Sequence, residues 1–234
     1  MDSDMTSFQQ DFPILQQGGV YLNHAAMSPW PASARDAIIQ FAEENTLAGA
    51  RHYTHWMAKE KALHDKLAKL IDAPSGQDIA LCKNTSEGLS LIANALPWVK
   101  GDEVVIPNVE FPSNRLPWVM QEQKGVRVHE IALDQGEPEE RLMQACNSNT
   151  RVMSVSAIQY GDGFRLDLAK LGHFCQQEQI LFCVDAIQQV GALPLSVEST
   201  QCDFLVADAH KWMLGPEGIA VFYSRPEARR QLKS

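Results

Sequence analysis

The sequence predicts an α/β fold: a mostly parallel central sheet with helices on both faces. Three observations carry that expectation. Short continuous runs of Val, Ile, Leu and Phe recur from about residue 78 onward, as strands buried on both faces require. Amphipathic segments of helical length separate them. Polar residues gather where the apolar runs stop, and open parallel sheets bind ligands beyond the carboxyl ends of their strands.

In chain order, residues 32–73 read as helical. Leu63, Leu67, Leu70 and Ile71 recur at helical spacing, and Ala73-Pro74-Ser75-Gly76 ends the run. Residues 1–75 are therefore expected to form a helical segment packed on a large α/β domain, residues 76–234. In that domain "DIALC" is a strand, and "TSEGLSLIANAL" is a helix with Leu89, Ile92, Ala93 and Leu96 on one stripe. "EVVIP" is a strand, "SNRLPWVMQEQ" a helix, "VRVHEIAL" a strand and "EPEERLMQAC" a helix. "RVMSVSAI" is a strand, and "LDLAKLGHFCQQEQ" is a helix with Leu166, Leu168, Leu171 and Phe174 as its apolar face. "ILFCVDA", "DFLVADA" and "GIAVFY" complete the strands.

The bulk numbers narrow the partners. A net charge of −9 on 234 residues repels nucleic acid and anionic membranes. No apolar run is long enough to span a bilayer, and the acidic start "MDSDMTSFQQDF" is not a signal peptide. The five cysteines are odd in number, widely spaced and free of CxxC. They read as reduced thiols of a cytoplasmic protein. His52 and His55 form an H-x-x-H pair, but with no further ligands nearby they read as surface residues, and no metal is expected.

Five strand ends carry residues suited to one ligand. "IALC" is followed by Lys83-Asn84-Thr85-Ser86-Glu87-Gly88, and "EVVIP" by Asn108-Val109-Glu110-Phe111-Pro112-Ser113-Asn114. "VMSVSAI" leads to Gln159-Tyr160-Gly161-Asp162-Gly163, "ILFCV" to Asp185-Ala186-Ile187-Gln188, and "FLVA" to Asp208-Ala209-His210-Lys211. Each has a plainer reading. Thr85 or Ser86 could cap a helix, Asp185 could sit in a local salt bridge, and Lys211 could snorkel to solvent. The combination is what argues for chemistry: hydroxyls at a helix start for an anion, a buried acid, a strand-end lysine and an aromatic ring. Pyridoxal 5′-phosphate needs all four, for its phosphate, its pyridine nitrogen, its aldehyde and its ring. Walker glycines are missing, which excludes a P-loop nucleotide site.

On "VYLNHAAMSPWP", "KNTSEG", "VDAIQQVG" and "ADAHKWMLGPEG" the sequence resembles the class V aminotransferase family of fold-type-I pyridoxal phosphate enzymes, from residue 20 to the end. That family includes cysteine desulfurases, selenocysteine lyases, kynureninases and isopenicillin N epimerase. The resemblance implies that Lys211 is the Schiff-base lysine, that Asp185 pairs with the pyridine nitrogen, and that Gln188 reaches the phenolic oxygen. Thr85, Ser86 and His210 would hold the phosphate, with Asp208 in the same cofactor set. Tyr160 would line the ring or substrate. "EFPSN" stands where desulfurases carry an "EHHAN"-like segment, so Phe111 is the implied stacker.

Only 23 residues follow Lys211. The family's C-terminal domain, with its substrate-carboxylate arginine and the desulfurases' sulfur-carrying cysteine, is therefore expected to be missing. The resemblance implies an aminotransferase-like enzyme acting on an amino acid, and a homodimer. Its alternatives are kynureninase-like or carbon–sulfur lyase activity, or a catalytically incomplete domain that binds cofactor or a partner.

Overall fold

The computed structural model describes residues 9–134 and 136–233. The first eight residues of the acidic start, and of the 1–75 segment, lie outside them. Two long helices come first: α1, Ala32–Ala48, and α2, Tyr53–Leu70. Strand β1 (Ile79–Cys82), helix α3 (Thr85–Ala95), β2 (Glu103–Pro107), α4 (Pro112–Val119), β3 (Arg127–Ile131) and α5 (Pro138–Gln144) follow. Then come β4 (Thr150–Ser156), α6 (Leu168–Gln177), β5 (Leu181–Asp185), α7 (Val197–Thr200), β6 (Phe204–Asp208), β7 (Ala220–Ser224) and α8 (Pro226–Arg229).

The strands form one seven-stranded sheet in the order β1-β7-β6-β5-β4-β2-β3. Neighbours from β3 across to β6 run parallel. β7 is antiparallel to both β6 and β1, so β1 points the same way as the parallel strands. The chain builds β2 and β3 toward one edge, then returns to β4 and continues through β5 and β6 toward the other. That reversal places a crevice outside the carboxyl ends of β2 and β4, the usual ligand position of such sheets.

Alternation along the strands explains the two cores. Val105, Met153, Phe182, Val184, Leu205 and Ala207 face one core, together with Leu166, Leu168 and Leu171. Val104, Ile106, Val152, Cys183, Phe204 and Val206 face the other, with Leu89, Ile92, Ala93, Leu96 and Trp118. Both faces of the central strands are covered, so charges can appear only at their ends. The edges differ: β3 carries exposed Arg127 and Glu130, as edges that avoid further pairing do.

Two expectations need correction. The "SNRLPWVMQEQ" helix stops as α-helix at Val119 and tightens into a 3-10 turn ending at Gly125, whose φ of 85° only glycine adopts readily. In α2 the apolar stripe is only half used. Ala68 and Ile71 enter the core, but Leu70 is exposed and with Leu63, Leu67, Met213 and Ile219 lines an apolar cavity of about 520 Å³. Helix α1 buries none of its residues.

Two glycines set the approach of the site loops. Gly88 lets the first turn of α3 lie against β6: a Cβ there would stand 2.7 Å from Val206 Cγ1. Gly191 has φ +94° and lies under the turn after Lys211, where a Cβ would meet the Trp212 carbonyl oxygen at 2.4 Å. Gly191→Ala therefore combines left-handed strain with a clash against backbone. It is expected to cost about 1–3 kcal/mol or more. The check is the denaturant midpoint; an unchanged or raised midpoint would contradict this packing.

Candidate active site

A cavity of about 460 Å³ opens at the carboxyl ends of the strands. Each of the nine residues singled out in the sequence, Thr85, Ser86, Phe111, Tyr160, Asp185, Gln188, Asp208, His210 and Lys211, lines it. They come from five segments because β1, β2, β4, β5 and β6 all end on this side.

The anion side is built at the start of α3. Its cap is Asn84, whose side chain accepts from the Glu87 N–H at 2.8 Å. The capping role offered to Thr85 or Ser86 is therefore taken by their neighbour, so neither hydroxyl is spent on the cap. Ser86 Oγ instead meets Ser113 Oγ at 2.7 Å, joining the starts of α3 and α4. Thr85 N–H donates to Asp208 Oδ2 at 3.4 Å, and Asp208 Oδ1 lies 3.5 Å from His210 Nδ1. Thr85 Oγ1 is buried without a hydrogen-bond partner, and Asp208 Oδ1 and His210 Nδ1 have only their long contact with each other. Three buried polar atoms so weakly satisfied in one place fit a polar ligand.

The opposite side is acidic and buried. Asp185 is 2% exposed and accepts from the Ile187 N–H at 3.1 Å. It forms no ion pair among the described residues, so a local salt bridge does not explain it. Burial raises its carboxyl to about 7; the Ile187 N–H and Lys211 pull it down, while Glu110 and Asp208 push it up. Lys211 Nζ lies 5.9 Å from the centre of the Phe111 ring, within cation–π range. Burial lowers its ammonium, partly offset by Asp185 and Asp208. Phe111 and Tyr160 meet edge to face with ring centres 5.1 Å apart.

Gln188 is fixed from two directions. Its Nε2 donates to the Ala25 carbonyl at 3.0 Å, and its Oε1 accepts from Trp212 Nε1 at 2.8 Å. The segment around Ala25 belongs to the start of the chain and crosses the cavity mouth, where Asn23, Ala25 and Ala26 line the wall. It is held by Ser28 N–H to the His210 carbonyl at 2.9 Å and by His24 stacked on Trp212 at 5.4 Å.

Sequence reasoning missed Ser113, Ser156, Glu110 and this crossing segment. Ser113 and Glu110 stood in the strand-end segments and could have been chosen. Nothing local tells that residues 23–26 return to a site made by residues 85–211. Ser156 was hidden inside its strand.

The electrostatics give a testable sign. An acid whose folded pKa is raised binds its proton more tightly folded than unfolded, so its contribution to stability falls as pH rises from about 4 to about 7. Above that window the protein without ligand carries the full cost of an ionised, unpaired Asp185. Asp185→Asn is expected to stabilise the ligand-free chain at pH 8, on the order of a few kcal/mol, and to make its stability fall less steeply between pH 4 and 7. Thermal melts across that range test this. A variant less stable than wild type at pH 8 would contradict the unpaired-carboxylate reading.

Comparison with known proteins places this geometry in context. The family model described as aminotransferase class-V matches residues 20–234. A probable cysteine desulfurase of Methanothermobacter thermautotrophicus is 32% identical over 231 residues, covering 96% of this chain and 57% of that protein. One of Streptomyces coelicolor is 31% identical over 250 residues, covering 98% of this chain and 59% of its own length. The crystal structure of the cysteine desulfurase CsdA from Escherichia coli superposes with a TM-score of 0.86 at 27% identity, over 97% of this chain and 59% of that one. The chain thus spans less than two thirds of the relatives it matches. With that match over most of its length, the chain belongs to the class-V aminotransferase family.

Proposed function

We propose that the cavity holds pyridoxal 5′-phosphate and that this chain forms the cofactor domain, residues 76–234 with the preceding helices packed on it, of an enzyme acting on an amino acid. The observation that carries this reading is the pairing of a weakly satisfied polar cluster at Thr85, Asp208 and His210 with a buried unpaired acid, Asp185, in one cavity. Thr85 Oγ1 and His210 Nδ1 can donate to an anion, Asp185 can hold a cation, and a phosphorylated pyridinium supplies both. Thr85, Ser86 and His210 would hold the phosphate. Asp208, whose own charge repels a phosphate, would position those residues, since its oxygens hold the Thr85 N–H and face His210. Asp185 would hold the proton of the ring nitrogen, Gln188 would reach the phenolic oxygen, and Phe111 would cover the ring.

Bound there, the cofactor supplies an electron-withdrawing ring that accepts the electron pair released at the amino acid's α-carbon. The chain's own residues do the rest. Asp185, buried and with its carboxyl raised, ionises more readily beside a positive charge, and so would keep a proton on its partner. Lys211 Nζ, its ammonium destabilised by burial, would give up its proton more readily than a solvent-exposed lysine and so could return and accept one. The centre of the Phe111 ring lies 5.9 Å from that amine, with Tyr160 edge-on against the ring.

A second reading is carbon–sulfur bond cleavage, favoured by relatives named as cysteine desulfurases. Among the described residues no cysteine lines the cavity, and burial pushes the Cys82 thiol up to about 11. Sulfur released by this reading must therefore leave on an acceptor other than these thiols. The free cysteines support a reducing, cytoplasmic setting. No described helix is long and apolar enough to cross a membrane. Assembly as a homodimer is part of the same reading, on family resemblance.

Treatment with the cofactor and then borohydride is expected to fix a pyridoxyl group on Lys211, found by peptide mass analysis, and Lys211→Ala should abolish it. An adduct on Lys83 with Lys211 unmodified would overturn the assignment. Incubation with a panel of amino acids, following keto acid, alanine and sulfide, separates the two reactions. Sulfide release, with either alanine or a keto acid plus ammonia as the carbon product, would favour the second; keto acid formed without sulfide would favour the first.

A further inference from the structure

Glu110 is the least expected charge in the site. It is 5% exposed, forms no ion pair among the described residues, and precedes Phe111 by one position. Burial raises its carboxyl, so its place there needs a compensating reason. Its hydrogen bonds supply one. Oε1 accepts from the Ser156 N–H at 2.6 Å and from Gln159 Nε2 at 3.2 Å, and Oε2 meets the Ser156 hydroxyl.

Those partners are not scattered. Ser156 is the last residue of β4 and stands opposite Asp185 in the β4–β5 register. Gln159 precedes Tyr160, in a loop closed by the Ile158–Arg165 bridge and by Gln159 N–H to the Phe164 carbonyl. One carboxylate therefore joins the Phe111 segment, the Tyr160 segment and the strand end beside Asp185. The two rings it ties down are about half exposed and touch each other edge to face, so their own burial does not fix them.

We propose that Glu110 is a positioning residue of the cofactor site: through Ser156 and Gln159 its carboxylate fastens the Phe111 and Tyr160 rings as one wall at a set place over Asp185 and Lys211. This rests on the cofactor reading above. A neutral amide replaces it only in part: its oxygen can accept from the Ser156 N–H and its NH₂ can donate to the Ser156 hydroxyl, but the charge-assisted strength of the carboxylate's bonds is lost.

The test uses residues 1–234 with Glu110→Gln, Ser156→Ala and both changes, and pyridoxal 5′-phosphate as the probe. Three quantities are read: affinity, ellipticity of the bound cofactor's absorption band per mole bound, and hydrogen exchange of segments 108–114 and 156–164 without cofactor. Glu110→Gln is expected to bind about tenfold more weakly, to lose ellipticity per bound cofactor, and to exchange faster in both segments together. Ser156→Ala should move the same readouts less, and the double variant should be no worse than Glu110→Gln, since the two share one interaction. If Glu110→Gln does not fold, Ser156→Ala carries the test alone. Variants that melt lower yet keep wild-type affinity and ellipticity would reduce Glu110 to a structural fastener and overturn the proposal, leaving the cofactor reading intact. A wild-type chain that binds no cofactor overturns both.

Discussion

The Asp185 carboxylate, buried at the end of β5, is the constraint on which the rest of the site depends. A strand covered on both faces offers no water to its last residue, so a charge there is costly unless something compensates it. The protein supplies little: one N–H from Ile187, and Lys211 at a distance, against two further acids, Glu110 and Asp208. The resulting rise to about 7 is a stored penalty that a bound cation relieves. Destabilised groups of this kind concentrate at functional sites, where stability is given up for affinity or rate.

The sheet explains why the acid and the anion cradle share one cavity. β1 is antiparallel to β7, and β7 to β6, so β1 ends on the same side as the parallel strands although it lies at the far edge. The helix that follows β1 thus brings Thr85 and Ser86 beside the end of β6, and Gly88 makes the approach close enough for the Thr85 N–H to reach Asp208. The side of the cavity that would hold negative charge is a helix start, whose free N–H groups favour anions. The side that would hold positive charge is lined by carboxylates.

What was legible in the sequence follows from range. Continuous apolar strands ending in Asp185 and Asp208, and hydroxyls after "IALC", are local signals, and each of the nine chosen residues lines the cavity. The antiparallel β7 and the strand order were not legible, because pairing is decided across the sheet. Glu110 reads in sequence as a loop carboxylate bound for solvent. Only Ser156 and Gln159, 46 and 49 residues further on, make its burial possible. The segment at residues 23–26 is equally silent, since its contacts with Gln188 and His210 span most of the chain. In α2 the helical period was right, but Leu70 faces a cavity rather than the core, a distinction that periodicity does not carry.

The protonation of Asp185 before and after a cation arrives decides what the site does. Infrared difference spectra at about pH 6, recorded on adding pyridoxal 5′-phosphate to the wild-type chain and to Asp185→Asn, measure it directly. The expected result is loss of a protonated carboxylic-acid carbonyl band and gain of carboxylate bands in wild type, both missing from the variant. A wild-type spectrum with no carboxylic-acid loss, although cofactor is bound, would contradict the claim that Asp185 waits for a positive partner.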